Sequence, residues 1–314
     1  MRSSLHPERI FVVIPCRNCG PYIGECLDSL LAQTFPNWSA LVADDASDDD
    51  TARLARAYES DPRIRVRTAP ERRWLMGNTL DALRSLEIKP NDVAVILDGD
   101  DLLRPACLER LWERHCQGFD FVYTNEDILG PGFSLGRTLL RNVPVRDQLW
   151  CFSHVRSFKG YLFSLLGDDA FRDASGGYYR AAGDLSLCLP LAELAGPDKI
   201  GFVDEPLYAY RVHEQCNFKV LRNEQLENNW RIRSRPALRR QTRFFDFSED
   251  VRDLEKPRLY EIGREVRARY PQPMSVLLRH HIRPGEQDSW RAYHNLWIDE
   301  GVFLAGVVGD EQGA

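Results

Sequence analysis

Short apolar runs of strand length alternate with segments whose apolar residues recur at helical spacing, and this alternation points the first half of the chain to parallel βαβ units. Ile10 to Pro15 reads as a strand, after which Ile23, Cys26, Leu27, Leu30 and Leu31 mark one face of a helix. Ser39 to Ala43 is a second strand, followed by a helix over Thr51 to Tyr58. Ile64 to Arg67 is a shorter strand, followed by a helix around Leu80, Leu83 and Leu86. Asp92 to Leu97 leads to a helix carrying Leu108, Leu111 and Trp112, and Phe119 to Thr124 closes the series.

From Glu126 to Arg146 Gly, Pro and Arg break the pattern, which predicts a long loop of the functional or mobile kind. Helical spacing returns at Phe158, Leu162, Leu165 and Leu166, and again over Asp184 to Ala195. Ile200 to Asp204 and Leu207 to Arg211 read as two short strands. The character changes after Val220, so residues 1–220 are expected to form the main domain and 221–314 a helical or α+β extension. Within the extension, Arg231, Arg233, Arg235, Arg239, Arg240 and Arg243 form a basic segment. A solvated helix face explains it most simply, and contact with an anionic membrane surface or an acidic acceptor is the alternative. Trp290, Tyr293 and Trp297 recur at helical spacing, which favours packing, either on the first domain or between copies of the chain.

The 314 residues are 43% hydrophobic and 28% charged, as in an ordinary globular protein. A net charge of -6 gives no electrostatic reason to bind nucleic acid. Eight cysteines without an apolar leader fit a reducing, cytoplasmic setting, where most of them serve as small hydrophobes. The run Val302 to Val308 is far too short to cross a bilayer.

In open α/β sheets ligands bind at the carboxyl ends of the strands. Four polar clusters are expected there: Cys16-Arg17-Asn18, Asp44-Asp45, Asp98-Gly99-Asp100-Asp101 and Tyr123-Thr124-Asn125. Three carboxylates within four residues repel one another unless a cation neutralises them. Oxygen ligands suit Mg2+ or Mn2+, which share their coordination with substrate phosphates. The alternative is a solvated acidic turn that caps the helix near Pro105. Asp48 to Asp50 read as helix caps, whereas Asp44 and Asp45 precede that cap and can accept a hydrogen bond from a base such as uracil.

With these residues in view, the chain resembles the family 2 glycosyltransferases. Val12-Val13-Ile14-Pro15-Cys16-Arg17-Asn18 is similar to that family's opening strand, and Glu25 to Thr34 to its first helix. Asp44-Asp45-Ala46-Ser47 and Leu97-Asp98-Gly99-Asp100-Asp101, with Pro105, resemble its nucleotide and DxD metal motifs. Pro206 to His213 resembles its closing strand. The ordered match runs from about residue 9 to 215.

The resemblance implies a GT-A fold, an α/β/α sandwich built on a mostly parallel Rossmann-like sheet, with a smaller C-terminal region. It further implies inverting transfer from a nucleotide sugar, UDP-linked by preference, to a glycan, lipid-linked or other hydroxyl acceptor in polysaccharide assembly. Pro15, Asn18, Asp44 and Asp45 would surround the base and ribose, with Asn78 close to the donor. Asp100 would be the main ligand of Mn2+ or Mg2+, and Asp98 would reach the ribose or the metal shell. Asp184 would be the general base; Gly183 stands where the family often has Glu. His213, at a strand end, is a candidate to touch the metal or the diphosphate, the plainer reading being a surface histidine.

Two other functions compete. Cys16 and Cys19 form a C-x-x-C between a strand and a helix, a pattern that can signal thiol redox chemistry. A glycosyltransferase-like module that binds nucleotide or glycan without turnover is the second.

Overall fold

The computed structural model describes residues 9–130, 134–141 and 143–238. These fall within one unit, His6–Arg239. Strands β1 (Ile10–Cys16), β2 (Trp38–Asp44), β3 (Ile64–Thr68) and β4 (Val93–Ile96) alternate with helices α1 (Ile23–Leu31), α2 (Thr51–Arg56) and α3 (Trp74–Ser85). There follow β5 (Leu102–Leu103), α4 (Cys107–Cys116), β6 (Phe121–Leu129), β7 (Arg156–Lys159), α5 (Gly160–Ser164) and α6 (Gly183–Ala195). The long strand β8 (Ile200–Arg211) and helices α7 (Asn217–Val220) and α8 (Arg222–Arg233) complete the described chain.

All eight strands form one sheet in the order β3-β2-β1-β4-β7-β6-β8-β5. The expected βαβ units are present, since β1 pairs in parallel with both β2 and β4, and β2 with β3. Helices cover both faces. Val12 and Ile14 pack with Ile23, Cys26, Leu27 and Leu30 of α1, while Val13 faces Met76, Leu80 and Leu83 of α3 and Leu185 of α6. A strand buried on both faces needs an uninterrupted apolar run rather than an alternating one, and this is why Val12-Val13-Ile14 reads as it does. Each fully enclosed Leu or Ile here contributes about 1.5–3 kcal/mol by leaving water.

Three expected elements differ, the first being the loop expected from Glu126, since β6 continues to Leu129. Helical spacing was expected over Phe158 to Leu166, but Arg156–Lys159 is the buried strand β7, followed by the short α5. The strand signal is hidden because Arg156, Ser157 and Lys159 are polar; Lys159 is paired inside with Asp120 at 3.2 Å. The two short strands expected over 200–211 are the single β8, whose pairing with β6 shifts register around Asn125. A bulge of this kind lets one strand continue past an interruption such as Pro206.

Helix α8, which lies beyond residue 220, packs on this unit. Ile232 is buried in the core shared with α6, and Asn228 Nδ2 donates to the Ala181 carbonyl at 3.1 Å. Arg233 donates to the Arg146 and Gln148 carbonyls, and Arg235 Nη1 to the Asp169 carbonyl at 2.7 Å. Those two arginines are therefore committed to backbone acceptors; Arg239, Arg240, Arg243 and the Trp290–Trp297 segment lie outside the described residues. Among the described residues no helix is long and apolar enough to cross a membrane.

Candidate functional site

Because β1, β2 and β4 are parallel, their carboxyl ends lie along one edge of the sheet and bring the first three polar clusters together there. Strand β7 runs antiparallel between β4 and β6, with Arg156 opposite both Ile96 and Tyr123. Its amino end, not its carboxyl end, therefore reaches the same edge. That inversion adds His154 and Arg156 to the site, residues that a rule about strand ends passes over.

Gly99 explains why the acidic turn can sit so close to β1. Its N–H donates to the Pro15 carbonyl at 3.1 Å, and a Cβ placed on it would stand 2.5 Å from Cys16 Cβ. Pro15 itself is buried in β1. The three acids of the turn then take separate partners. Asp101 is buried and accepts from Tyr208 Oη at 2.7 Å and from the Arg211 N–H at 2.6 Å. Asp100 Oδ2 lies 2.9 Å from His213 Nε2, and Asp98 Oδ2 lies 3.5 Å from His154 Nε2.

The electrostatics separates these acids too. Burial, then the charges of Asp100 and Asp98, push the Asp101 carboxyl well above the usual range. Burial and the Asp98 charge also raise Asp100. Burial works against the charge of Asp98 as well, yet the hydrogen bond and charge of His154 hold its carboxyl below the usual range. On the other side of the ring, His154 Nδ1 meets Glu126 Oε2 at 2.8 Å. Burial and Arg156 oppose a charge on His154, but its hydrogen bonds to Asp98 and Glu126 prevail and raise it to about 9.

Asp44 is fully buried and accepts from the Ser47 hydroxyl. Asp45 accepts from the Arg73 N–H at 2.5 Å, and burial raises its carboxyl. Asn18 joins the β1 loop to the β2 loop, its N–H donating to Ser47 Oγ and its Oδ1 accepting from Asp48 N, each at 2.9 Å. Its φ of 53 is left-handed, a region Asn tolerates better than most residues. Asn78 is buried and donates through Nδ2 to the Ala43 carbonyl at 2.5 Å, so it braces the strand that carries Asp44. The acids after Ser47 do not cap α2 through its N-cap side chain; Asp49 accepts from the Thr51 and Gly20 N–H groups, and Asp48 pairs with Arg17 at 2.6 Å.

Asp184 stands in the first turn of α6, with Oδ1 accepting from Leu185 N at 2.9 Å and Oδ2 lying 3.3 Å from Arg156 Nη2. Its carboxylate is 30% exposed, enough for a substrate hydroxyl to approach. A side chain at 183 would start 3.2 Å from Met76 Cβ, so Met76 occupies the space an acid there would need.

Gln215 N lies 3.2 Å from His213 Nδ1, and Nε2 is the ring nitrogen that faces Asp100. Two ligands each about 2.1 Å from one octahedral ion stand about 3.0 Å apart, so the 2.9 Å between Asp100 Oδ2 and His213 Nε2 fits a shared cation. Among the described residues no set of three or more His, Cys, Asp or Glu is grouped to hold a metal. The two fit an ion that completes its shell with phosphate and water, as Mg2+ commonly does.

Cys16 and Cys19 are both buried, and burial raises both thiols well above their ordinary value. A redox-active thiol needs the opposite shift, so the geometry argues against disulfide chemistry at this pair. Sequence reasoning passed over His154, Glu126 and Arg156 and gave no role to Tyr208 or Arg211, although the last two lie in the Pro206–His213 segment.

A model described as Glycosyl transferase family 2 matches residues 11–166. Glycosyltransferase GlyG of Streptococcus pneumoniae serotype 4 is 24% identical over 220 residues, covering 65% of this chain and 71% of that protein. A further relative is 30% identical over 212 residues, but the chain spans only 22% of its length. Among solved structures, S. aureus TarS 1-349 in complex with UDP-GlcNAc has a TM-score of 0.53 at 18% identity, covering 92% of this chain and 80% of that one. The mannosyltransferase PcManGT of Pyrobaculum calidifontis, in complex with GDP-Man and Mn2+, has a TM-score of 0.52 at 16% identity, covering 97% and 78%. The fold described above is thus the GT-A fold.

Proposed function

This chain belongs to glycosyltransferase family 2, and from that premise we propose that it transfers a sugar, with inversion, from a UDP-linked donor to a hydroxyl acceptor. The observation that carries the reading is the convergence, on one sheet edge, of the Asp98–Asp100–His213 group with the half-exposed carboxylate Asp184. The first group suits a nucleotide diphosphate, and the second suits an incoming hydroxyl. The relatives' complexes with UDP-GlcNAc, and with GDP-Man and Mn2+, support a nucleotide-sugar donor and a divalent ion.

In the proposed reaction Asp184 accepts the acceptor hydroxyl proton as the oxygen attacks the anomeric carbon. The bond from that carbon to the diphosphate oxygen breaks on the opposite face, which inverts the configuration. Arg156 holds Asp184 Oδ2, so the carboxylate presents a fixed edge. Pro15, Asn18, Asp44, Asp45 and Asn78 shape the base and ribose end, and Asp98 orients the ribose. Asp100 and His213 would hold Mn2+ or Mg2+, which, when bound, supplies Lewis-acid stabilisation of the leaving diphosphate. Polysaccharide or other glycan assembly is the proposed setting, and the proposed catalytic domain runs on through α8, which packs within the unit His6–Arg239.

One observation favours a binding module without turnover: Asp184 has both oxygens engaged by the protein, and Met76 fills the place of a neighbouring acid. UDP release from UDP-sugars, with water or an added acceptor, separates the two. The transferase reading predicts a measurable rate that falls about 10²–10⁴-fold in Asp184→Asn with UDP affinity retained. UDP binding with no release in wild type would establish the binding module instead.

A further inference from the structure

His154 occupies a position that packing alone does not explain. Its backbone N–H and its Nδ1 both meet Glu126 Oε2, at 2.9 and 2.8 Å, so one carboxylate oxygen fixes both the main chain and the ring. The ring is stacked between Tyr208 and Tyr210, with centroids 5.0 and 5.1 Å away and planes tilted by 18° and 15°. Tyr208 and Tyr210 lie two residues apart on β8 and so project from the same side of the strand. A ring held by two aromatic faces and a carboxylate has no rotamer freedom left, and its remaining nitrogen is directed at Asp98.

The consequence falls on Asp98. Its Oδ2 faces His154, while its Oδ1 makes no hydrogen bond among the described residues and the side chain is 25% exposed. One oxygen therefore faces His154, and the other is left for a partner from outside the described chain. Asp100 and Asp101 are held by different partners, His213 on one side and Tyr208 with Arg211 on the other, while Arg156 adds its charge near Asp98.

We propose that His154 is a positioning residue of the donor site: with Glu126 behind it and Tyr208 and Tyr210 on its faces, it fixes the Asp98 carboxylate so that the outward oxygen accepts a hydrogen bond from a ribose hydroxyl of the nucleotide. The inference rests on the donor reading above but adds residues to it. It makes the discrimination between ribose and deoxyribose a property of a bridge that begins on β6, two strands from Asp98 in the sheet.

The test compares binding of UDP, 2′-deoxy-UDP and 3′-deoxy-UDP, with Mn2+, to the wild-type chain, His154→Gln, Glu126→Gln and the double variant. A hydrogen bond to a charged group predicts that wild type prefers UDP over one deoxy analogue by roughly tenfold or more. In His154→Gln and in Glu126→Gln this preference shrinks to within about twofold, while the affinity for that analogue stays close to wild type. The double variant loses no more than either single one, because both act through the same bridge. A purely structural role would lower the affinity for all three nucleotides alike.

Glu126→Gln keeps the shape of the side chain and leaves His154 in place, so it carries the test alone if His154→Gln does not fold. Ribose discrimination retained in Glu126→Gln overturns the proposal, as does a wild type that binds UDP and both analogues equally. A wild type that binds none of the three overturns the donor reading itself, and is told apart by failing before any variant is compared.

Discussion

Replacing Gly99 by Ala tests whether the tight approach of β4 to β1 is what places the acidic turn. The added Cβ would stand 2.5 Å from Cys16 Cβ, 3.4 Å from the Pro15 carbonyl oxygen and 3.5 Å from Cys16 Cα. Carbon atoms in contact prefer about 3.5–4.0 Å, so the first of these distances is short by about 1 Å. The obstacle is a Cβ on a paired strand, which cannot swing away as the end of a long side chain would. Overpacking of this kind costs about 1–3 kcal/mol. Gly99 has no left-handed φ, so Ala also recovers about 0.4–1 kcal/mol by stiffening the unfolded chain. The clash wins, with a net loss of about 1–2 kcal/mol, or about 2–8 °C in melting temperature for a domain of this size. Since Asp98 and Asp100 flank the residue, a shift of this size also lowers UDP release at least tenfold. Thermal unfolding and the release assay read the two effects. Adding Cys16→Gly to Gly99→Ala should restore UDP release while costing stability of its own, because Gly is unfavourable inside a strand, whereas adding Cys16→Ala, which keeps the Cβ, should restore neither. A Gly99→Ala chain with wild-type stability and activity would refute the reasoning.

Two further outcomes follow from buried charges. His154 is raised to about 9 in the folded chain against about 6.5 when unfolded. Its contribution to stability is therefore fully present below about pH 6.5 and is lost as the pH rises through 9, at most about 3 kcal/mol in all. Urea titrations between pH 6 and 10 should show this fall in wild type and not in His154→Gln; parallel curves would contradict it. Arg146 and Glu193, with side chains 7% and 5% exposed, join the turn before Gln148 to α6, and Arg146 also donates to the Ile232 carbonyl of α8. Arg146→Met leaves Glu193 buried and uncompensated and should cost about 3–5 kcal/mol, most of it recovered in Arg146→Met with Glu193→Leu. Denaturant unfolding decides it, and a mild single variant would show that the pair is not closed to water.

The parallel half of the sheet was legible in the sequence because strands buried on both faces must be continuously apolar, as Val12-Val13-Ile14 and Val93 to Ile96 are. Polar residues directly after such runs marked the site edge, and Asp44, Asp45, Asp98 and Asp100 lie there. What the sequence concealed was β7. A four-residue strand that carries Arg156, Ser157 and Lys159 into the interior has neither an apolar run nor an alternation, because ion pairing inside the fold replaces apolar burial. His154, Glu126 and Arg156 were hidden with it, since their roles depend on one antiparallel strand placing its start where its neighbours end. Asn18 stood out in the sequence only as a polar residue beside a strand end, and Asn78 only through the family resemblance. That they also brace β2 and link two loops depends on hydrogen bonds between distant segments.

Titration calorimetry tests most directly whether Asp100, with His213, completes a cation-dependent nucleotide site. UDP and GDP would each be titrated with and without Mn2+ into wild type and into Asp100→Ala. The expected result is that UDP binds wild type only when Mn2+ is present, and that Asp100→Ala loses this binding while remaining folded. Failure of both nucleotides to bind with Mn2+, or UDP binding that ignores both the metal and the substitution, would contradict it.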